Sequence, residues 1–565
     1  MLLKSGSRWT GYSLLLLLAV VAFGFYAFRY ENAYPQMPYE AIAATSLIAC
    51  ISLLLTRRIQ FSVLVALIVA AIIVITSKVK YAFMSAPLLA YDLYFYLGSR
   101  ATVDFLVSDY TRYVFAILLG LTALLLLLRR SYRADTVKLP RIATLGVALV
   151  SIGANCLASG GPYKKIYASA DRYQLTVFYR SIADAMSIVE RGPIFEISTT
   201  TQTNTSPPFR PQTACTLDTQ APHVILIHQE SGFPPSFFRS IKYNPELDSY
   251  FKSFDGRMHK LRVETYGGAS WMTEFALMSG LSTYSFFGGT RTFIQSLMRG
   301  RLKSTVPQHF QKCGYRTAAF YPMPSTFVAA GPFYKSIGFE DFFDMKLQGT
   351  KSYKERDSFY YGNLIKYLVD NAAHSNRRVF AYVFTSATHN PYNSAMAPEL
   401  DLHQNAAENS PEMNEYLRRM LIAKRDYDAF LTSLRAHFPN ERFLIVRHGD
   451  HQPFLTLDLP EIQEIDARAN ADKSFELARS DKFSTYYTVD GIGMEPPPLP
   501  EYEILEVPYL SSVITSFARL PASDDYTARL DLMHHCAGLY YSCGDKRAVL
   551  DFQRRLVDAG LVDIH

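Results

Sequence analysis

At 565 residues, 49% of them apolar and with a formal net charge of only +6, the chain is too long for one ordinary core and has room for about three or four domain-sized units. No Lys/Arg-dense block or aromatic-interleaved basic stripe occurs, which excludes nucleic acid as a partner. The long charge-poor runs crowd into the first 160 residues and the remainder has the composition of a soluble domain, so a membrane module precedes a globular one.

In chain order, five apolar runs come first: Gly11 to Phe28, Ala41 to Leu55, Phe61 to Thr76, Tyr113 to Leu128 and Ile142 to Ser159. Each is somewhat shorter than the ~20 residues a bilayer core requires, but flanking aromatic and small residues extend it into the interface. Lys4 and Arg8 precede the first run, and no small-residue cleavage site lies before Arg29, so the run reads as an anchor rather than a signal peptide. Lys4, Arg8, Arg57, Arg58, Arg129, Arg130, Arg133, Lys138 and Arg141 fall on one side of the membrane, the cytoplasmic side by the positive-inside rule. With five spans, everything after Ser159 is then extracytoplasmic. The loop from Ser77 to Arg112 lies outside too, with Lys80 to Leu93 amphipathic enough to rest on the outer surface. Residues 1–160 are the transmembrane module. Residues 161–215 form a tether of juxtamembrane helices (162–195) and a Ser/Thr/Pro-rich linker (198–214).

Past the linker, apolar runs alternate with helical stretches, as expected of an α/β sheet with crossover helices over 216–520. Three runs release polar residues at their C-terminal ends, where open α/β sheets bind ligands. The run from His223 to His228 leads to Glu230; Val379 to Phe384 leads to His389; Phe443 to Val446 leads to Asp450 and His451. Glu230, Asp450 and His451 offer carboxylate and imidazole ligands to a divalent ion. In Tyr266-Gly-Gly-Ala-Ser270-Trp-Met-Thr-Glu-Phe275 the serine opens a helix. There it is either an N-cap, a common role for Ser, or a hydroxyl presented to an anion at the helix N-terminus.

Of six cysteines, Cys50 and Cys156 lie in or beside apolar spans. Cys215, Cys313, Cys536 and Cys543 allow three disulfide pairings; Cys536 with Cys543 is locally plausible, and buried thiols fit equally well. Val507 to Ser516 reads as a last helix of the domain, and 521–565 as a helical appendage.

The order Glu230 after a strand, Gly-Ala-Ser before Trp-Met-Thr-Glu-Phe, His389-Asn-Pro-Tyr and His448-Gly-Asp-His resembles the lipoteichoic acid synthase and phosphoglycerol transferase branch of the alkaline phosphatase superfamily. The stretch Phe320 to Phe343 is similar to a segment of that family, as is Lys80 to Leu93. The resemblance implies a five-helix transmembrane module followed by an α/β alkaline-phosphatase/sulfatase-like domain. It implies Glu230, Ser270, Asp450 and His451 as ligands of one divalent ion, with Ser270 also the nucleophile where the family usually has Thr, and His389 at the substrate phosphate. The oxygen-rich ligand set favours Mn²⁺ or Mg²⁺, and the histidine keeps Zn²⁺ open. The synthases hold glycerol phosphate with a His, a Trp and an Arg in the stretch matching 321–330. Here Tyr321, Val328 and Ala330 stand there, with Tyr321 taken as a substrate contact, and Ala269 replaces a lysine.

The implied activity is transfer of a phosphoglycerol-type head group from a phosphatidylglycerol-like lipid to a periplasmic glycan or lipid acceptor through a phosphoserine-type intermediate, by an inner-membrane protein. Alternatives are phosphoethanolamine transfer, hydrolysis of phosphate or sulfate esters, and a lipid-binding pseudoenzyme. The sulfatase maturation signature is missing around Ser270.

Overall fold

The computed structural model describes residues 3–32, 34–84, 87–95, 111–135, 138–158, 173–192, 195–199, 206–210, 215, 217–287, 289–375, 377–402, 404, 406–472 and 474–564. The chain divides into two compact units, Met1–Glu190 and Arg191–His565.

In the first unit the apolar runs form helices Leu3–Tyr30, Met37–Thr56, Ile59–Met84, Thr111–Ala134 and Arg141–Ala158. Among the described residues, four are long and apolar enough to cross a membrane. The fifth, Arg141–Ala158, is an apolar helix of 18 residues, about 27 Å at 1.5 Å per residue and so close to the hydrocarbon core of about 30 Å. Its surface is that of a lipid-facing helix, with Ile142, Leu149, Val150 and Leu157 exposed. The third helix runs on past Thr76 to Met84, which corrects the expectation that Lys80 lies in a surface loop. Lys80 sits on the helix instead, its Nζ 2.7 Å from Asp92 Oδ1 and 2.9 Å from the Pro87 carbonyl. Residues 96–110 and 161–172, and most of the linker, fall outside the described residues. The tether's helix is Leu175–Arg191. The Glu31 carboxylate accepts the Gln174 and Leu175 N–H groups at 2.9 and 2.8 Å, placing negative charge where a helix N-terminus favours it.

The second unit is built on an eight-stranded sheet ordered β4-β3-β5-β1-β6-β7-β2-β8. The strands are β1 His223–Gln229, β2 His259–Arg262, β3 Arg316–Phe320, β4 Asp341–Phe343, β5 Val379–Thr385, β6 Phe443–Gly449, β7 Ser484–Ile492 and β8 Leu505–Glu506. β1 lies between β5 and β6 and runs parallel to both, while β7 is antiparallel to β6 and β2. The three central strands read as continuous apolar runs because both of their faces are covered. On one face Ile225, Ile227, Ala381, Val383 and Ile445 join the core with residues of helices Asp357–His374 and Pro411–His437. The alternation of strand side chains sends His228, Tyr382 and His448 to the other face.

The last helix of the predicted domain forms at Val507–Phe517, followed by helices Asp524–His535 and Lys546–Asp558. The tail is integral to the second unit rather than appended to it. Gln553 Nε2 donates to Ser285 Oγ at 2.8 Å, and Val562 bridges to Leu302. Two disulfides close this unit, Cys215 with Cys313 and Cys536 with Cys543.

Candidate metal centre and active site

Glu230 is the first residue past β1, and its N–H bonds the Thr385 carbonyl of β5 at 3.2 Å. Ser231 follows at φ 53°, a turn that sends its N–H to Asp450 Oδ1 at 2.7 Å. Asp450 leaves β6 just after Gly449, where a Cβ would stand 1.8 Å from the Gly232 carbonyl oxygen. Only glycine lets the two strand exits approach this closely. Asp450 Oδ1 also accepts the His451 N–H at 2.8 Å. Two N–H donors thus saturate one carboxylate oxygen and leave Oδ2 turned toward the cluster.

The serine arrives from across the sheet edge. The Gly267 N–H bonds the Gln452 carbonyl at 2.8 Å, and Thr273 Oγ1 bonds the Asp450 carbonyl at 2.9 Å, pinning the start of helix Ser270–Ser279 to the β6 exit. The N-cap is Ala269, in the left-handed region at φ 63° and with no capping side chain. A non-glycine residue there is strained. Ser270 is the first helical residue, and its hydroxyl does not cap the helix. It lies 3.2 Å from Glu230 Oε2 and 3.3 Å from His451 Nε2, at a helix N-terminus whose free N–H groups favour an anion.

His451 Nε2 is 3.3 Å from both Glu230 Oε1 and Asp450 Oδ2. Its Nδ1 faces the Gln452 carbonyl at 3.0 Å, which holds the proton there and frees Nε2 as a ligand. Burial opposes charge on His451, but Asp450 and Glu230 outweigh it and push the imidazole up to about 9. Burial likewise opposes ionised Glu230, and His451, His389 and His228 outweigh it, holding the carboxyl below the usual carboxylate range. Two buried carboxylates thus draw a positive charge to a point that a divalent ion can occupy. Ligand atoms around an ion with bonds of about 2.0–2.2 Å stand roughly 3.0–3.4 Å apart, and the separations of 3.2 and 3.3 Å match. The residues fit a divalent cation.

His389 follows β5 half-exposed, its Nδ1 2.6 Å from the Asn390 carbonyl oxygen and its ring against Tyr353. Tyr321 is 2% exposed, its ring packed on Tyr334, Phe342 and Phe384; burial, then the charges of Glu274 and Glu230, raise its hydroxyl's pKa, so any contact with a head group would come from the hydroxyl alone. The half-exposed part of that stretch is Met323 to Ala329, with Val328 and Ala329 at φ 43° and 60°, a strained turn of the kind that gathers at binding sites. One metal-competent residue was missed. His228, inside β1, has a ligand atom within 4.8 Å of those of Glu230 and Asp450. The signal was available in the spacing, since residues two apart on a strand share a face.

Residues 222–473 match the sequence model of the Sulfatase family. A curated Haemophilus influenzae protein described as uncharacterized is 23% identical over 326 residues, covering 54% of this chain; the chain spans about half (52%) of that relative's length. Among solved structures, the Streptococcus pyogenes phosphoglycerol transferase GacH in complex with sn-glycerol-1-phosphate is 17% identical, covering 61% of this chain and 87% of its own, with a TM-score of 0.47. The lipoteichoic acid synthase LtaP from Listeria monocytogenes is 19% identical over 53% of this chain and 72% of its own, with a TM-score of 0.40. The periplasmic domain of EptC from Escherichia coli is 12% identical over 57% and 88%, with a TM-score of 0.37.

Proposed function

We propose that this chain, whose residues 222–473 are a sulfatase-family domain, is a membrane-anchored phosphotransferase that moves a phosphoglycerol-type head group from a phospholipid to a glycan or lipid acceptor. The observation that carries the reading is the Ser270 hydroxyl, held at a helix N-terminus within 3.3 Å of both a buried carboxylate and a buried imidazole. A divalent cation held by Glu230, Ser270, Asp450 and His451 would supply Lewis acidity and favour the deprotonated hydroxyl. Ser270 Oγ attacks phosphorus, an Oγ–P bond forms, and the P–O bond to diacylglycerol breaks, the departing oxygen taking a proton. An acceptor hydroxyl then attacks the same phosphorus, the Oγ–P bond breaks, and the acceptor's proton is released. His389, at the rim, is placed to hold a phosphoryl oxygen or to protonate the leaving group. The helices of the first unit keep the enzyme at its donor's surface, which raises effective concentration without new contacts. Counting Arg141–Ala158 as a fifth span puts the enzyme on the extracytoplasmic side.

The test uses full-length protein in vesicles carrying labelled phosphatidylglycerol, labelled phosphatidylethanolamine or a soluble sulfate ester. The reading predicts head-group release from phosphatidylglycerol by the wild type and none by Ser270→Ala. Release from phosphatidylethanolamine instead would move the assignment to phosphoethanolamine transfer. Turnover by Ser270→Ala would remove the nucleophile.

A further inference from the structure

The four cation ligands above leave a buried histidine unexplained. His228 and Asp450 are fully buried, and His228 Nε2 lies 3.1 Å from Asp450 Oδ2. The pair is not aligned for a hydrogen bond, and each of these two atoms lacks a hydrogen-bond partner. A misaligned contact of this length between two lone-pair donors is what results when both point at a common third centre. The orphaned atoms sit beside the cluster, with Asp450 Oδ2 also 3.3 Å from His451 Nε2.

His228 also has a partner from behind. Its Nδ1 is 2.7 Å from the Tyr382 hydroxyl, whose oxygen can accept a proton from a ring nitrogen. In the tautomer that donates Nδ1–H to Tyr382 the proton lies on the side away from the cluster. Nε2 is left as a bare lone pair facing Asp450 and Glu230. This is the arrangement by which a buried histidine is oriented as a metal ligand.

We infer that His228 Nε2 is a fifth protein ligand of the active-site cation, beside Glu230, Ser270, Asp450 and His451. The inference rests on the metal centre of the proposed function and adds a second imidazole to it. Two imidazoles among the ligands select a transition ion over Mg²⁺, because nitrogen ligands suit Mn²⁺ and Zn²⁺ better than the harder ion.

The test is pulsed electron paramagnetic resonance on the full-length protein loaded with one equivalent of Mn²⁺, counting ¹⁴N couplings of coordinated imidazole. Two are expected in the wild type and one in His228→Gln, with Mn²⁺ affinity by calorimetry lowered about 10–100-fold and discrimination against Mg²⁺ reduced. A wild type showing a single imidazole overturns the inference even if the variant fails to fold. Two couplings that persist in folded His228→Gln also overturn it. Failure of the wild type to bind Mn²⁺ at all would instead remove the metal centre on which both readings stand.

Discussion

The two faces of the central strands both bury charge, in opposite ways. On one face Arg447 supplies its own cation. Its guanidinium lies over the rings of Tyr250, Tyr427 and Tyr486 at 3.7, 4.6 and 5.2 Å, and Nη1 donates to the Tyr486 hydroxyl at 2.8 Å. On the other face, beyond the strand ends, Glu230 and Asp450 supply two carboxylates, and the imidazoles of His228 and His451 turn ring nitrogens toward them. One face carries a positive charge already shut in by aromatic rings, which is a structural device. The other gathers carboxylates and imidazoles to which the proposed divalent ion would bring a positive charge from outside. A buried charge is therefore informative about function only when its counterpart is not built into the chain.

The largest effect should separate the faces. Asp450→Asn is expected to abolish stoichiometric divalent-ion binding and lower kcat/KM roughly a thousandfold, since several kcal/mol of charge stabilisation goes with the ion. Arg447→Ala should cost about 3–5 kcal/mol in chemical denaturation while folded protein binds the ion as tightly as wild type. Equal effects of the two variants on ion binding would erase the distinction.

Next in size is the loop that delivers the nucleophile. At Gly267, φ is 70° and a Cβ would meet the Phe454 ring at 2.7 Å. Gly267→Ala should cost about 1–3 kcal/mol of stability and lower kcat more than it raises KM, because Ser270 moves off its partners.

The aromatic face has its own pH signature at Asp357, which burial pushes up to about 7 against the Ala387 N–H that its Oδ1 accepts. A carboxyl whose folded pKa is raised binds its proton more tightly when folded. It thus favours folding below the unfolded value near 4 and loses that contribution as pH rises to about 7. Asp357→Asn keeps an acceptor for Ala387, so its stability relative to wild type should rise between pH 4 and 7 by up to about 4 kcal/mol; a flat difference across that window would contradict the assignment. The smallest effect is expected at Tyr321. With its ring buried, Tyr321→Phe should leave head-group selectivity unchanged within about twofold in the vesicle assay, and a large loss would make its hydroxyl a substrate contact.

Most of the proposed ion-binding face could be read from the sequence because the strands announce it. The apolar run of β6 ends at Val446, four residues before Asp450, and that of β1 at Ile227, three residues before Glu230. His228 was hidden because it lies within the strand, where an apolar neighbourhood argues for packing. Its significance comes from register, His228 opposite His448 and Tyr382 one strand away, and pairing of distant strands is not written locally. Tyr321 shows a related limit: position in a matching stretch says nothing about which way a ring points, and here the ring of the first residue past β3 turns into the core. The fifth apolar run was legible too, Ile142 to Ser159 in the sequence against a helix Arg141–Ala158 in the structure, a difference within the usual one or two residues at a helix end.

The claim that Ser270 is the nucleophile can be tested directly by mass spectrometry of full-length enzyme quenched after mixing with phosphatidylglycerol and no acceptor. The account predicts a peptide containing Ser270 heavier by one glycerophosphoryl group, absent in Ser270→Ala. An unmodified Ser270 peptide during ongoing head-group release, or an adduct on another residue, would contradict it.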